Sequence, residues 1–233
     1  MSDVRSQPRF FVSYSFYRVA PEWRRLPCEQ RQRQKAELVE RLDSFDPEVQ
    51  IRSYTTMGLR GDTDFMLWKV SPRLDPLQQL ATTIAASQLG AYLTTPHNFL
   101  AMTRRSSYVD KHSHPGQEGR RTTVNPAGAK YFFLYPFVKT HAWYQLPFAE
   151  RQRMMDEHIK VGHEFPSVRI NTTYSFGLDD QDFVVGFETD SPADFLDLVM
   201  KLREAEQRPY TERDTPIFSC IAMPFSEVLE ALG

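Results

Sequence analysis

The stretch WYQLPFAERQR at residues 143–153 repeats WRRLPCEQRQR at residues 23–33, with Trp, Leu-Pro and Arg-Gln-Arg in register 120 positions apart. A recurrence at fixed spacing marks a duplicated structural unit, so the flanking segments should recur too. They do. An aromatic, β-prone run precedes each copy, FFVSYSFYRV at 10–19 and KYFFLYPFVK at 130–139. A further matching pair follows, YTTMGLRGDTDFMLWKV at 54–70 and NTTYSFGLDDQDFVVGFET at 171–189, each turning at Gly-Leu beside acidic residues before an apolar strand. Helix-like stretches near 74–93 and 191–207 close the two halves. Strand, helix, strand pair, helix, strand, occurring twice, predicts an α+β fold of two fused ferredoxin-like units, each an antiparallel sheet with its helices on one face. The Gly-, Pro- and charge-rich run SSYVDKHSHPGQEGRRTTVNPAGA (106–129) has no apolar period and reads as a linker between units at 1–105 and 130–233.

Composition narrows the function classes. At 233 residues, 41% hydrophobic and 25% charged, the chain can bury one large core or two small ones. A net charge of −2 with both signs interspersed argues against a general nucleic-acid surface and against an electrostatic membrane patch. No apolar run approaches the roughly 18 residues of a membrane span, and MSDVRSQPRF lacks the apolar stretch of a secretory signal, so a cytoplasmic location is expected. Cys28 and Cys220 are isolated from one another and from any Cys/His cluster, which predicts two free thiols and no structural zinc. The 17 Phe and 10 Tyr suit the walls of a large flat ligand as well as a plain sheet core.

The duplication also separates residues that hold the fold from residues that serve one half. In LPFAERQRMMDEHIKVGHEF, Met154, His158, Val161 and Phe165 fall on one helical stripe. The register sets Leu38 opposite His158, so an imidazole replaces an apolar packing residue in one copy only. A buried imidazole needs a partner. It is either a core histidine satisfied by a backbone carbonyl or, in an aromatic, Met-lined hollow, the single axial ligand of a haem iron. No HExxH or similar pair supports zinc. Tyr135 stands where the first half has Ser15, so its hydroxyl is special to the second copy, whereas Trp143 matches Trp23 and reads as structural first. Arg151 and Arg153 match Arg31 and Arg33 and read as a solvated helix face; Met154 and Met155 read as packing before ligation. Lys139 and Arg208 are cations able to meet carboxylates.

The block YPFVKTHAWYQLPFAERQRMMDEH (135–158) resembles the signature of the coproheme decarboxylases, the haem-making branch of the chlorite dismutase superfamily, and of the actinobacterial type in particular. The likeness continues through VRINTTYSFGLDDQDFVVGFET (168–189) and weakly to RPYTERDTPIFSC (208–220). The resemblance implies a dimeric α+β barrel, in which antiparallel sheets close with helices outside. It implies iron porphyrin as substrate and redox cofactor, with His158 as proximal ligand and Tyr135 as the redox-active residue. Hydrogen peroxide would oxidise ferric coproheme, a radical on Tyr135 would take hydrogen from a propionate, and two propionates in turn would lose carbon dioxide to give haem b. Lys139, Arg208, Ile170 and Met154 would line the porphyrin site, with Trp143 in a secondary redox role, and the assembly would be a homopentamer. A distal histidine acting on peroxide would be His114 or His112 in DKHSHPG, with the proline after His114 favouring it. His97, His141 and His163 have no counterpart role and read as surface residues. Two other readings stay open: a chlorite dismutase, and a haem-binding or haem-sensing module without turnover. Chlorite dismutases place an arginine in the strand before the Gly-Leu-Asp-Asp turn; the matching residue here is Ile170, with Arg169 on the opposite strand face.

Overall fold

The computed structural model describes residues 8–108 and 128–233. The elements follow the duplication: β1 (Phe11–Val19), α1 (Cys28–Asp43), β2 (Gln50–Thr55), β3 (Phe65–Ser71), α2 (Asp75–Ala85) and β4 (Leu93–Met102), then β5 (Tyr131–Lys139), the short α3 (His141–Gln145), α4 (Phe148–His163), β6 (Arg169–Tyr174), β7 (Phe183–Thr189), α5 (Pro192–Glu204) and β8 (Thr211–Arg213), with β9 (Phe218–Ala222) and α6 (Phe225–Glu230) at the end. Two compact units emerge. The strand orders are β4-β1-β3-β2 in the first and β8-β5-β7-β6 in the second, the same ferredoxin-like order twice.

Local chemistry explains why the repeated residues are the repeated ones. Pro27 and Pro147 occupy the N-caps of α1 and α4 with φ −52° and ψ 143° in both cases. A proline there fixes the chain's entry angle without sacrificing a helical N–H. Glu29 and Glu150 lie in the first turns and Arg41, Lys160 and His163 in the last, as the helix dipole favours. Asp64 and Asp182 are a second matched pair: each accepts from the backbone N–H that ends the neighbouring strand, Val19 at 2.7 Å and Lys139 at 2.8 Å. The Gly-Leu turns need left-handed backbone, supplied by Gly58 (φ 74°) and Gly177 (φ 71°). Trp23 and Trp143 are both buried.

The units are not the contiguous halves that the repeat suggests. The first comprises residues 8–100 together with 219–233, and the second, among the described residues, 101–108 and 128–218, so the C-terminal tail groups with the N-terminal unit. The physical reason is visible in the pairing and the core. Strand β9 adds to β2 through Tyr54↔Ala222 and Thr55↔Ile221, and Val228, Leu229 and Leu232 are buried in the cluster formed by Trp23, Leu38, Leu42, Phe65 and Leu80. Leu38, the apolar counterpart of His158, is fully buried. The second unit's core gathers Tyr135, Val168, Phe187 and Leu198, with Phe133, Phe137, Val161 and Phe165 against it. Among the described residues no helix is long and apolar enough to cross a membrane. Cys28 is exposed and Cys220 buried, both free.

Candidate functional site

Three strands of the C-terminal unit turn one face toward a common hollow, and period-two alternation decides which residues reach it. In β5 these are Tyr135, Phe137 and Lys139; in β7, Phe183, Val185 and Phe187; in β6, Ile170, Thr172 and Tyr174. The antiparallel register sets Tyr135 beside Val185 and Phe137 beside Phe183, and Ile170 beside Phe187, Thr172 beside Val185 and Tyr174 beside Phe183. Arg169, one residue off this face, does not line the hollow. Helix α4 supplies the facing wall with Met155, His158, Ile159, Gly162 and His163. The hollow measures about 510 Å³ and is partly open to solvent.

His158 lines this wall near the middle of α4. Burial first, and the charge of Lys139 second, push its pKa down to about 4, so the ring is neutral at ordinary pH. Gln207 Nε2 lies 3.3 Å from its Nδ1, and Lys139 Nζ donates to Gln207 Oε1. Lys139 is itself buried, 4.4 Å above the Trp143 ring. Burial, followed by repulsion from Arg208 and opposed by Asp182, lowers its pKa to about 7. The chain Lys139–Gln207–His158 thus fixes the ring from behind. Tyr135 is 9% exposed, its ring 5.5 Å from Phe187. Burial and then the nearby Asp214 charge hold its phenol well above the usual range, against the opposing pull of Arg208. Asp214 is tied to Arg208 at 2.7 Å and Arg203 at 2.8 Å.

Among the described residues the lining carries six basic side chains, Arg104, Arg105, Lys139, Arg151, Arg203 and Arg208, against the one carboxylate of Asp214. Apolar walls with a cationic excess recognise a flat apolar ligand bearing several carboxylates. The neutral imidazole of His158 on the lining of such a space fits a ligand to the iron of a porphyrin, and no group of three His, Cys, Asp or Glu side chains among the described residues offers a multidentate metal site.

Of the sequence-derived candidates, Tyr135, Lys139, Trp143, His158, Ile170 and Arg208 come together here. Met154 does not. It is buried, but Met155 lines the cavity instead, because the wall turns on the i−3 rather than the i−4 neighbour of His158. Arg151 is a cavity residue and not merely part of a solvated face, whereas Arg153 pairs at the surface with Glu206. His163 is half-buried and faces the cavity, and His97 is paired with Asp62 at 2.8 Å; of the three histidines read as surface residues, only His141 is exposed. His112 and His114 lie outside the described residues. Gln207, Asp214, Arg104 and Arg105 were missed. Gln207 immediately precedes Arg208 in the sequence, and that adjacency to a chosen cation was the available signal, whereas Asp214 lies six positions on.

A family model described as chlorite dismutase matches residues 29–223. The coproheme decarboxylase of Mycolicibacterium smegmatis is 27% identical over 216 residues, covering 90% of this chain and 88% of that protein. The chlorite dismutase of Ideonella dechloratans is 24% identical over 213 residues, 90% of this chain and 75% of that one. A variant of the chlorite dismutase from Candidatus Nitrospira defluvii superposes with a TM-score of 0.87 at 24% identity, covering 97% of this chain and 96% of that chain.

Proposed function

The chain belongs to the chlorite dismutase family, and from that premise we propose that it decarboxylates ferric coproporphyrin with hydrogen peroxide to give haem b. The observation that carries this reading is the cavity itself, which among the described residues joins His158 and Tyr135 to six basic side chains and one carboxylate. Four propionates on coproporphyrin, against two on haem b, suit that excess. For each propionate the balance is R–CH2–CH2–COOH + H2O2 → R–CH=CH2 + CO2 + 2 H2O, so two peroxides are consumed per product. An iron porphyrin, when bound, would supply the iron that peroxide oxidises and the propionates whose carboxyl groups leave as carbon dioxide.

The chain's own residues do the rest. His158 offers a neutral nitrogen, which metal ligation requires. A ring bound through Nε2 keeps its proton on Nδ1, so Gln207 must turn Oε1 toward it and its amide N–H toward Lys139. A lysine with a pKa near 7 can accept that reversal by giving up its proton. Tyr135 provides an oxidisable phenol, and the adjacent Asp214 carboxylate favours loss of its electron by stabilising positive charge nearby. Ile170, in place of a guanidinium on β6, favours this reaction over chlorite turnover. His114 or His112 remains the proposed base toward peroxide, and a homopentamer in the cytoplasm is the proposed setting.

The test is direct. Purified apoprotein loaded with ferric coproporphyrin and titrated with peroxide should yield porphyrin that has lost two carboxyl groups by mass spectrometry. Recovery of intact or merely bleached coproporphyrin would overturn the reading in favour of a binding or sensing module.

A further inference from the structure

The duplication places a second hollow in the N-terminal unit, on the face that corresponds to the cavity described above. Here β1 presents Ser13, Ser15 and Tyr17 where β5 presents Phe133, Tyr135 and Phe137, and β3 presents Lys69 where β7 presents Phe187. The pocket, about 350 Å³, is walled on its other side by Leu77, Ala81 and Ile84 of α2, with Leu74 at 43% exposure marking a greasy rim. Lys69 is 2% exposed. Its Nζ donates to Ser15 Oγ at 2.7 Å, and Ser13 and Ser15 both donate to Asn98 Oδ1. Among the described residues nothing acidic lines the pocket: Tyr17, Gln78 and Thr95 are its remaining polar side chains, and the cross-strand neighbour of Lys69 on β2 is Ile51.

A buried ammonium with one hydroxyl partner and no counter-charge is costly, and burial accordingly lowers its pKa to about 8. An anion entering beside it would supply the missing charge and accept its remaining N–H bonds. The α2 wall sets the rest of the ligand's character, because Leu77, Ala81 and Ile84 offer no polar partner. We infer that this pocket binds a small amphipathic monocarboxylate of the medium-chain fatty-acid class, with its carboxylate at Lys69 and Ser15 and its tail along α2. It is a ligand site separate from the C-terminal cavity and independent of the reaction proposed there.

Octanoate is the probe, titrated calorimetrically into the full chain at pH 7, with 1-octanol and inorganic phosphate as the uncharged and tailless controls. Octanoate should bind with a dissociation constant below about 1 mM, and Lys69→Met should weaken it tenfold or more. Arg104→Ala, in the C-terminal cavity, should leave it unchanged. Ala81→Phe, which fills the tail channel from an exposed helix position and leaves Lys69 in place, should abolish binding. Raising the pH above about 8 should loosen octanoate but not octanol. Phosphate binding as tightly as octanoate would replace the fatty-acid assignment with a simple anion site. Equal octanoate affinity in the parent, Lys69→Met and Ala81→Phe would overturn the site altogether.

Discussion

Two side chains, His158 and Tyr135, differ from their repeat partners Leu38 and Ser15. His158→Ala should fold, since the same helix position in the other unit is apolar. It should also hold the porphyrin weakly and lose the histidine-ligated ferric spectrum, which absorption and electron paramagnetic resonance would read. An unchanged ligand spectrum would remove His158 from its role. Tyr135→Phe keeps the ring against Phe187 but lacks the hydroxyl, so coproporphyrin affinity should stay within about threefold while haem b yield falls at least a hundredfold. Trp143→Phe is the matched control, slowing turnover without abolishing the first decarboxylation. Lys69 gives a stability test with a definite sign. Its folded pKa of about 8 lies below the unfolded 10.5, so the folded state resists protonation. The charged form costs stability below pH 8, and that cost fades as the pH rises from 8 to 10.5. Lys69→Met should therefore stabilise the chain by about 1–3 kcal/mol at pH 7, a gain that disappears near pH 10.5 in urea titrations.

At the level of single elements, the sequence was read well where alternation or helical spacing had a clear answer and less well where two neighbours competed. Strand parity placed Ile170 in the cavity and Arg169 outside it from residue numbers alone. In α4 the apolar stripe through His158, Val161 and Phe165 holds, yet both Met154 and Met155 lie within a turn of His158, and spacing could not choose between them. Which one meets the ligand depends on how α4 lies on the sheet, a tertiary fact. The distinction is measurable. Met155→Ala should weaken porphyrin binding with little loss of stability, whereas Met154→Ala should cost about 2–4 kcal/mol in unfolding and leave the affinity nearly intact. The reverse pattern would return Met154 to the site. Gln207, Asp214 and the arginines at 104 and 105 escaped for the same reason, since side chains that meet only across elements leave no periodic trace. The two candidate distal histidines fall in 109–127, outside the described residues.

For the whole molecule, duplication was the most informative feature of the sequence. It predicted both ferredoxin-like units, the matched Pro27/Pro147 and Trp23/Trp143 pairs and the asymmetry that marks the cavity. It misled on the boundary because the last 15 residues, 219–233, match nothing in the first half and add instead to the first unit's sheet edge and core. That exchange has a consequence at the opposite end of the chain. Val228, Leu229 and Leu232 are each at most 2% exposed, and burying side chains of this size contributes about 1.5–3 kcal/mol apiece. Their combined contribution is comparable with the entire stability of a small domain, about 5–15 kcal/mol. Ending the chain after Pro224 should therefore unfold or nearly unfold the unit built on β1, β2 and β3. Leu229→Ala should cost about 2–4 kcal/mol there. Hydrogen exchange followed by mass spectrometry separates this from a general loss of stability: amides of residues 11–19 and 65–71 should lose protection first, while those of 131–139 and 183–189 keep theirs. Equal deprotection of both strand sets would mean that residues 225–233 do not stabilise the first unit selectively.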